Sequence, residues 1–307
     1  MADNYASAIY KKLLANIKTV IKGKDKEISF FLAAVLCGGH VLIEDVPGTG
    51  KTVLCKALAQ SLDFSFSRLQ CTSDLLPGDI TGIDIFDPAE RKFKFQPGPI
   101  FSNVVLADEI NRATPKTQSA LLECMSENQA TIGRNTYLMQ NPFIVLATQN
   151  PVEFQGTFPL PEAQLDRFLI KMSIGYPSAE AEALMLKSQL SEHPLNSLTP
   201  CASKDMFLKA REAIRQVAIA DCLHDYITAI VRKTRVEPEV LLGASPRGSQ
   251  ALSIYSRAIA AVQGRANVLP DDIKLAAPFV LRHRIISSSA SPDDIINNIL
   301  NSVPVPV

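Results

Sequence analysis

The chain has 307 residues, 47 % of them hydrophobic, and its 31 Lys+Arg balance 31 Asp+Glu. That is enough apolar material for a real core and, at this length, for two domains. Zero net charge supplies no field toward nucleic acid or an anionic membrane, and 7 % aromatics without Trp leave few platforms for stacking bases.

No apolar run approaches the length of a membrane span, and the mixed-polarity N-terminus lacks the apolar stretch of a signal peptide. Cys37, Cys55, Cys71, Cys124, Cys201 and Cys222 are scattered, with no CxxC pair and no histidine at ligand spacing. They are expected to be reduced thiols of a cytoplasmic protein, and they speak against a zinc site.

In chain order, Ile9, Leu13, Leu14, Ile17 and Ile21 predict an amphipathic helix to about Val20. Gly23 interrupts it, and a second, more apolar helix runs from Glu27 to Leu36. Val41-Leu42-Ile43 reads as a buried strand. A glycine-containing loop follows, then a helix over Thr52–Leu62 with Val53, Leu54, Ala57, Leu58 and Leu62 on one face. Phe64–Leu69 alternates like a strand, and Val104–Ala107, Phe143–Ala147 and Phe168–Ile170 are further apolar strand runs. Strands of this kind alternating with helices predict an α/β parallel sheet covered on both faces.

Two insertions interrupt the alternation. Ile83–Phe86 and Lys92–Phe95 around Asp87–Glu90 read as a β-hairpin, and Ala130–Ile132 and Thr136–Leu138 around Gly133–Asn135 read as another. From about Ser178 strand signals vanish and helices are expected at Ala179–Leu190, Lys204–Ala218, Asp221–Arg235, Arg247–Val262 and Asp271–Arg284. Pro177 and the polar loop Glu192–Pro200 punctuate the change. The boundary is placed near Tyr176, giving an αβα domain over 1–176 and a smaller all-helical domain over 177–307. The tail Val303–Val307 is expected to be frayed or extended.

The segment His40–Thr52 joins an apolar strand, a glycine-containing loop, a lysine and a hydroxyl, the context a phosphate-binding loop requires. Val46, Pro47, Gly48, Thr49, Gly50, Lys51, Thr52 and Val53 would wrap the phosphates. Backbone N–H groups and the helix dipole would point at them, Lys51 would reach the β- and γ-phosphates, and Thr52 would ligate Mg²⁺. Asp45 stands where the usual pattern has glycine. Asp enters the left-handed region at lower cost than most residues, so a left-handed Asp45 is the expectation. The alternative, a Gly-Pro turn beside a surface lysine, leaves the flanking strand and helix unexplained.

The strand Val104–Ala107 ends in Asp108-Glu109. An acid there can hold Mg²⁺ through water and a second can polarise the attacking water, so Asp108 is the candidate metal residue and Glu109 the candidate catalytic base. Acids at strand ends also serve as helix caps or ion-pair partners. The following strand ends at Gln149-Asn150, where an amide could meet a γ-phosphate. Alone, Asn150-Pro151 reads more simply as a turn.

Together these residues resemble the MoxR family of AAA+ ATPases. The resemblance runs through Glu44-Asp-Val-Pro-Gly-Thr-Gly-Lys-Thr52, Asp74–Gly82, Phe95–Phe101, the block Ala107-Asp-Glu-Ile-Asn-Arg-Ala113 and its continuation to Glu123, Ala147–Pro151, Gly156–Phe168 with Leu-Pro-Glu-Ala-Gln-Leu-Asp-Arg-Phe, and Gly243-Ala-Ser-Pro-Arg-Gly248. It covers nearly the whole chain, and Asp45 belongs to the family's own variant of the loop.

The resemblance implies an ATP- and Mg²⁺-dependent ATPase with a parallel-sheet P-loop domain and a helical lid. It makes Asn150 the sensor 1 residue, Arg167 the arginine finger reaching a neighbouring subunit's ATP, and Arg247 the sensor 2 arginine of the lid. Arg167 pairing with Asp166 or Glu162 inside one subunit, and Arg247 as an ordinary helix-start residue, stay open. So does Arg112 acting across an interface. Ile21 and Gly23 are expected around the adenine. The hairpins correspond to a helix 2 insert and a pre-sensor 1 hairpin facing pore or substrate, or are surface ribbons; Leu76, Ile83 and Phe86 favour a partner surface.

The implied assembly is a homo-oligomer, a hexameric ring, that remodels a client protein, matures complexes or inserts metal cofactors beside a von Willebrand factor A (VWA) domain partner. Competing readings are a nucleic-acid-dependent motor using Lys22–Lys26, Arg232–Arg235 and Arg282–Arg284, a non-hydrolysing nucleotide switch, and a magnesium-chelatase-type ATPase subunit. Nucleic acid binding and membrane insertion are not expected.

Overall fold

The computed structural model describes residues 5–133, 135–152, 156–188 and 194–306. Helices α1 (Tyr5–Val20) and α2 (Asp25–Leu36) precede β1 (Val41–Glu44), α3 (Lys51–Ser61) and β2 (Phe66–Gln70). A short helix α4 (Pro77–Thr81) leads into the hairpin β3 (Gly82–Asp87) and β4 (Lys92–Pro97). Next come β5 (Val104–Asp108), α5 (Pro115–Glu127), the hairpin β6 (Gln129–Ile132) and β7 (Asn135–Leu138), β8 (Ile144–Gln149), α6 (Glu162–Leu165) and β9 (Ile170–Met172).

Strands β2-β5-β8-β1-β9 form one five-stranded sheet in that order, with every pair parallel. The two-residue period of a strand divides the core between its faces. Val41, Ile43, Val104, Leu106, Ile144 and Leu146 join the layer under α1, α2 and α3. Leu42, Val105, Ala107, Val145 and Ala147 join the opposite layer, where α5 contributes Leu121, Leu122 and Met125. Burial on both faces explains why these strands read as continuous apolar runs.

The C-terminal part contains α7 (Ala179–Ser188), α8 (Lys204–Arg215), α9 (Asp221–Lys233), β10 (Val240–Leu242), α10 (Pro246–Val262), α11 (Pro270–Leu281), β11 (Ile286–Ser287) and α12 (Pro292–Ser302). Strand signals do not vanish here: β10 and β11 pair antiparallel. At three and two residues they are too short to show a period. α12 was also unforeseen, although its start is legible: Ser291 caps it, Pro292 opens it, Asp293 and Asp294 fill the first turn, and Ile295, Ile296 and Ile299 are buried. Residues 189–190 of the expected helix after Pro177, residues 192–193 of the polar loop, Arg134 of the second hairpin and Val307 lie outside the described residues.

α1 and α2 precede the sheet in sequence yet also pack against α8 and α10. The two hairpins meet through Phe95 stacked on Tyr137, 4.0 Å between ring centroids. Leu76, Ile83, Phe86, Phe93 and Leu138 are exposed, the last two by more than 70 %. No helix among the described residues is long and apolar enough to cross a membrane.

Candidate functional site

β1, β8 and β5 are neighbours, so the loops leaving their C-terminal ends converge, as ligand-binding loops of open parallel sheets do. They enclose a cavity of about 360 Å³ lined by Pro47–Val53, Asp108, Glu109, Thr148 and Asn150. Gly48 and Gly50 take φ of 85° and 84°, with open space where a Cβ would stand. Their need is conformational: the loop must turn through the left-handed region to deliver α3 with its N-terminus facing the cavity.

Lys51 curls over this loop and donates from Nζ to the carbonyls of Asp45 (2.8 Å) and Val46 (2.9 Å). Partial burial pulls its pKa down, while Asp45, Asp108 and Glu109 push it back up.

Asp45 departs from expectation. It is not among the residues with positive φ; the loop turns at Gly48 and Gly50 instead. Its carboxylate is buried and accepts from Ser173 Oγ (2.8 Å), Ile174 N–H (2.5 Å) and Gly175 N–H (3.1 Å). A residue that looked like a tolerated substitute for glycine instead anchors the loop to the segment leaving β9.

Asp108 ends β5 and is buried. Its Oδ1 accepts from Thr148 Oγ1 (2.7 Å), and its Oδ2 accepts from Arg68 Nη2 (2.6 Å) and Nε (3.1 Å). Glu109 holds a left-handed backbone, φ 58° and ψ 52°, a strain of about 1–3 kcal/mol for a residue with a side chain. Its N–H donates to Thr148 Oγ1 (2.8 Å), so one hydroxyl fixes both acids. Glu109 Oε2 accepts from Arg112 Nη1 (3.0 Å) and Gln70 Nε2 (3.3 Å), and Gln70 Oε1 accepts from Arg68 (2.7 Å). Arg112 therefore engages the candidate base within its own chain.

Asn150 lines the cavity, and its Oδ1 accepts from Val152 N–H (3.2 Å); the turn and the cavity-facing position coexist. Ile21 and Gly23 do not line the cavity. Gly23, at φ 72°, instead faces Ser178 and Ala181.

Arg167 and Arg247 line a separate cleft of about 460 Å³ together with His40, Gln250 and Arg284. Arg167 does not pair with Asp166; its Nη1 donates to the carbonyl of Leu122. Asp166 is held by Arg284 Nε (2.7 Å) and Ser245 Oγ (2.8 Å). Arg247 opens α10 behind the Ser245 cap and Pro246. His40 accepts the Val145 N–H at Nδ1 (2.9 Å), and burial pushes its pKa down to about 4. His283 and Arg284 are buried, so the cluster Arg282–Arg284 is not the phosphate-facing surface its charge suggested.

Thr148, Arg68 and Gln70 were missed from sequence. Thr148 had a signal, a hydroxyl closing a wholly apolar strand; Arg68 and Gln70 had only β2 alternation, which does not say what the sheet places beside them.

A phosphate loop leaving β1, a polar residue just after the adjacent β8 and an acid pair at the end of β5 beyond it define an AAA-type ATPase. The family profile described as "ATPase family associated with various cellular activities (AAA)" matches residues 40–170, and the "AAA lid domain" matches 232–299. The chain is 38 % identical to Chaperone MoxR1 of Mycobacterium tuberculosis over 99 % of its length and 85 % of that protein. It is 30 % identical to Protein MoxR of Paracoccus denitrificans (92 % and 90 % covered) and 47 % identical to the uncharacterized YeaC of Bacillus subtilis (96 % and 94 % covered). The crystal structure of a candidate ATPase from Cytophaga hutchinsonii superimposes with a TM-score of 0.92 at 39 % identity, covering 100 % and 97 % of the two chains. The chain belongs to the MoxR family of AAA+ ATPases.

Proposed function

We propose that this ATPase works as a homo-oligomeric ring, a hexamer, whose ATP sites are shared between subunits. One observation carries the reading: the phosphate-loop cavity and the cleft holding Arg167 and Arg247 have no lining residue in common. One chain supplies the loop and acids of a site, and a neighbour supplies the guanidinium groups that stabilise charge on the transferring phosphoryl.

In this reading the N–H groups of Gly48–Val53 and Lys51 bind the ATP phosphates, Glu109 accepts the proton of the attacking water, and Asn150 orients that water or the γ-phosphate. The Thr52 hydroxyl and the Asp108 carboxylate share the cavity, a sparse oxygen set that suits Mg²⁺, which keeps several waters. When bound, the ion would neutralise the phosphate oxygens. Arg68 orients the Asp108 carboxylate through an ion pair at 2.6 Å. The domain boundary near Tyr176 follows the Asp45 anchor at 173–175, and the segment beyond it carries Arg247.

The name of the mycobacterial relative supports a chaperone-like role, remodelling or maturing a client protein. The exposed Ile83, Phe86, Phe93 and Leu138 of the hairpins suit client contact. Metal-cofactor insertion, a VWA-domain partner and a cytoplasmic location are extensions of this reading from family resemblance.

The test is ATP hydrolysis against protein concentration. Turnover per chain is expected to rise with assembly and to fall by about 1,000-fold or more in Arg167→Ala. Turnover that is independent of concentration and survives the substitution would overturn the ring.

A further inference from the structure

The short segment between α6 and β9 carries Arg167, and its carbonyls at 166, 168 and 169 all accept from one side chain just past the end of α11. Arg284 donates from Nε to Asp166 Oδ1 (2.7 Å), from Nη2 to the carbonyls of Asp166 (3.1 Å) and Phe168 (2.6 Å), and from Nη1 to the carbonyls of Leu169 (3.2 Å) and Val280. Its side chain is 3 % exposed and that of Asp166 14 %. Neighbouring His283 adds Nε2 to the Phe168 carbonyl at 3.1 Å. Burial drives this imidazole toward the neutral form, which leaves a single ring N–H to make that bond.

The other Asp166 oxygen leads to the second arginine. Oδ2 accepts from Ser245 Oγ at 2.8 Å, and the same Oγ accepts from the Arg247 N–H at 3.1 Å. One carboxylate thus meets the chain next to Arg167 on one side and the first turn of α10, through one hydroxyl, on the other. A buried guanidinium that spends its donors on one carboxylate oxygen and four backbone carbonyls has a narrow range of geometries, so the two cleft arginines share one rigid mount.

We infer that Asp166 and Arg284 form a clamp that sets Arg167 and Arg247 in register with each other, so that both reach the neighbouring subunit's nucleotide from one rigid edge. Asp166, Arg284 and Ser245 are positioning residues; they touch no nucleotide themselves. The inference rests on the shared-site reading above. Its consequence is that a shift of α10 and α11 moves the finger segment with them, because the carbonyls of residues 166, 168 and 169 hang on a side chain of that helical unit.

The experiment uses the full-length protein, steady-state ATPase over a range of ATP and protein concentrations, binding of a fluorescent ATP analogue, and thermal melting. Asp166→Asn and Arg284→Lys keep size but lose the charge or the planar fork. They are expected to leave analogue binding within about twofold and lower kcat at saturating ATP and protein by about 10- to 100-fold, as ångström-scale misplacement does. Ser245→Ala, a mild change that guards against failure to fold, is expected to lower kcat several-fold in wild type and no further in Arg247→Ala. A merely structural clamp would instead lower the melting temperature with kcat of the folded protein unchanged. The clamp is overturned if folded Asp166→Asn turns over within twofold of wild type while Arg167→Ala collapses, or if Ser245→Ala and Arg247→Ala are additive. If Arg167→Ala keeps full turnover, the shared-site reading fails and takes the clamp with it.

Discussion

Asp45 shows how a single residue changes meaning once its partners are known. Its carboxylate satisfies two backbone N–H groups and a hydroxyl in the 173–175 segment, so replacing it with the loop's usual glycine strands those donors in a buried place. Asp45→Gly should therefore cost about 3 kcal/mol of stability, the loss of charge-assisted hydrogen bonds with unsatisfied donors left behind. Urea unfolding with an unchanged m-value would measure it; a cost under about 0.5 kcal/mol would show that the carboxylate is replaceable by water. Glu109 is a second case. Its left-handed backbone is tolerated because Thr148 Oγ1 receives its N–H, so the candidate base is aimed by the strand beside it.

Among elements, α1 does the most to join the molecule. It packs on α2 and α3 over the sheet and on α8 and α10 beyond it. Leu13 and Ile17 are fully buried in a core that continues into Phe207, Tyr255 and Ile259. Leu13→Ala removes apolar surface with little room for collapse and should destabilise by about 3 kcal/mol. Because one core serves both halves, the loss should move a single cooperative transition in calorimetry. Two transitions, with only one displaced, would contradict a shared core. The hairpins are the opposite kind of element: few of their side chains are buried, and Phe95 on Tyr137 ties the two ribbons to each other.

For the whole molecule, pH acts through histidines buried in neutral form. His40 bridges β8 and the end of α5, and its pKa falls from 6.5 to about 4 on burial. Between those values the unfolded chain binds a proton that the folded chain does not, so stability is complete above about pH 6.5 and is lost as pH falls toward 4. The loss from His40 is on the order of 3 kcal/mol. His283 is shifted in the same direction and steepens the fall. Denaturant unfolding from pH 7.5 to 4.5 should show stability dropping on the acid side, and His40→Gln should flatten the slope. A stability independent of pH in this window would contradict neutral burial.

Sequence alone settled the elements that repeat a period and the motifs that need a fixed spacing. The apolar runs 104–107 and 144–147 became central strands, and Asp108 and Glu109 closed a strand whose end opens on the phosphate-loop cavity. These depend on local sterics and on burial of one face, which neighbouring residues encode. Tertiary structure decided what depends on distant partners: Asp45 answering Ser173–Gly175, Arg68 and Thr148 dividing the oxygens of Asp108, and Arg284 reaching back to residues 166–169. No spacing announces such pairs, since a carboxylate and its donors may lie over a hundred residues apart and still share one hydrogen bond. Likewise, Arg167 and Arg247 were each legible as arginines in a motif, but their joint cleft, apart from the phosphate loop, exists only because the fold carries α10 and the 166–169 segment to the same rim.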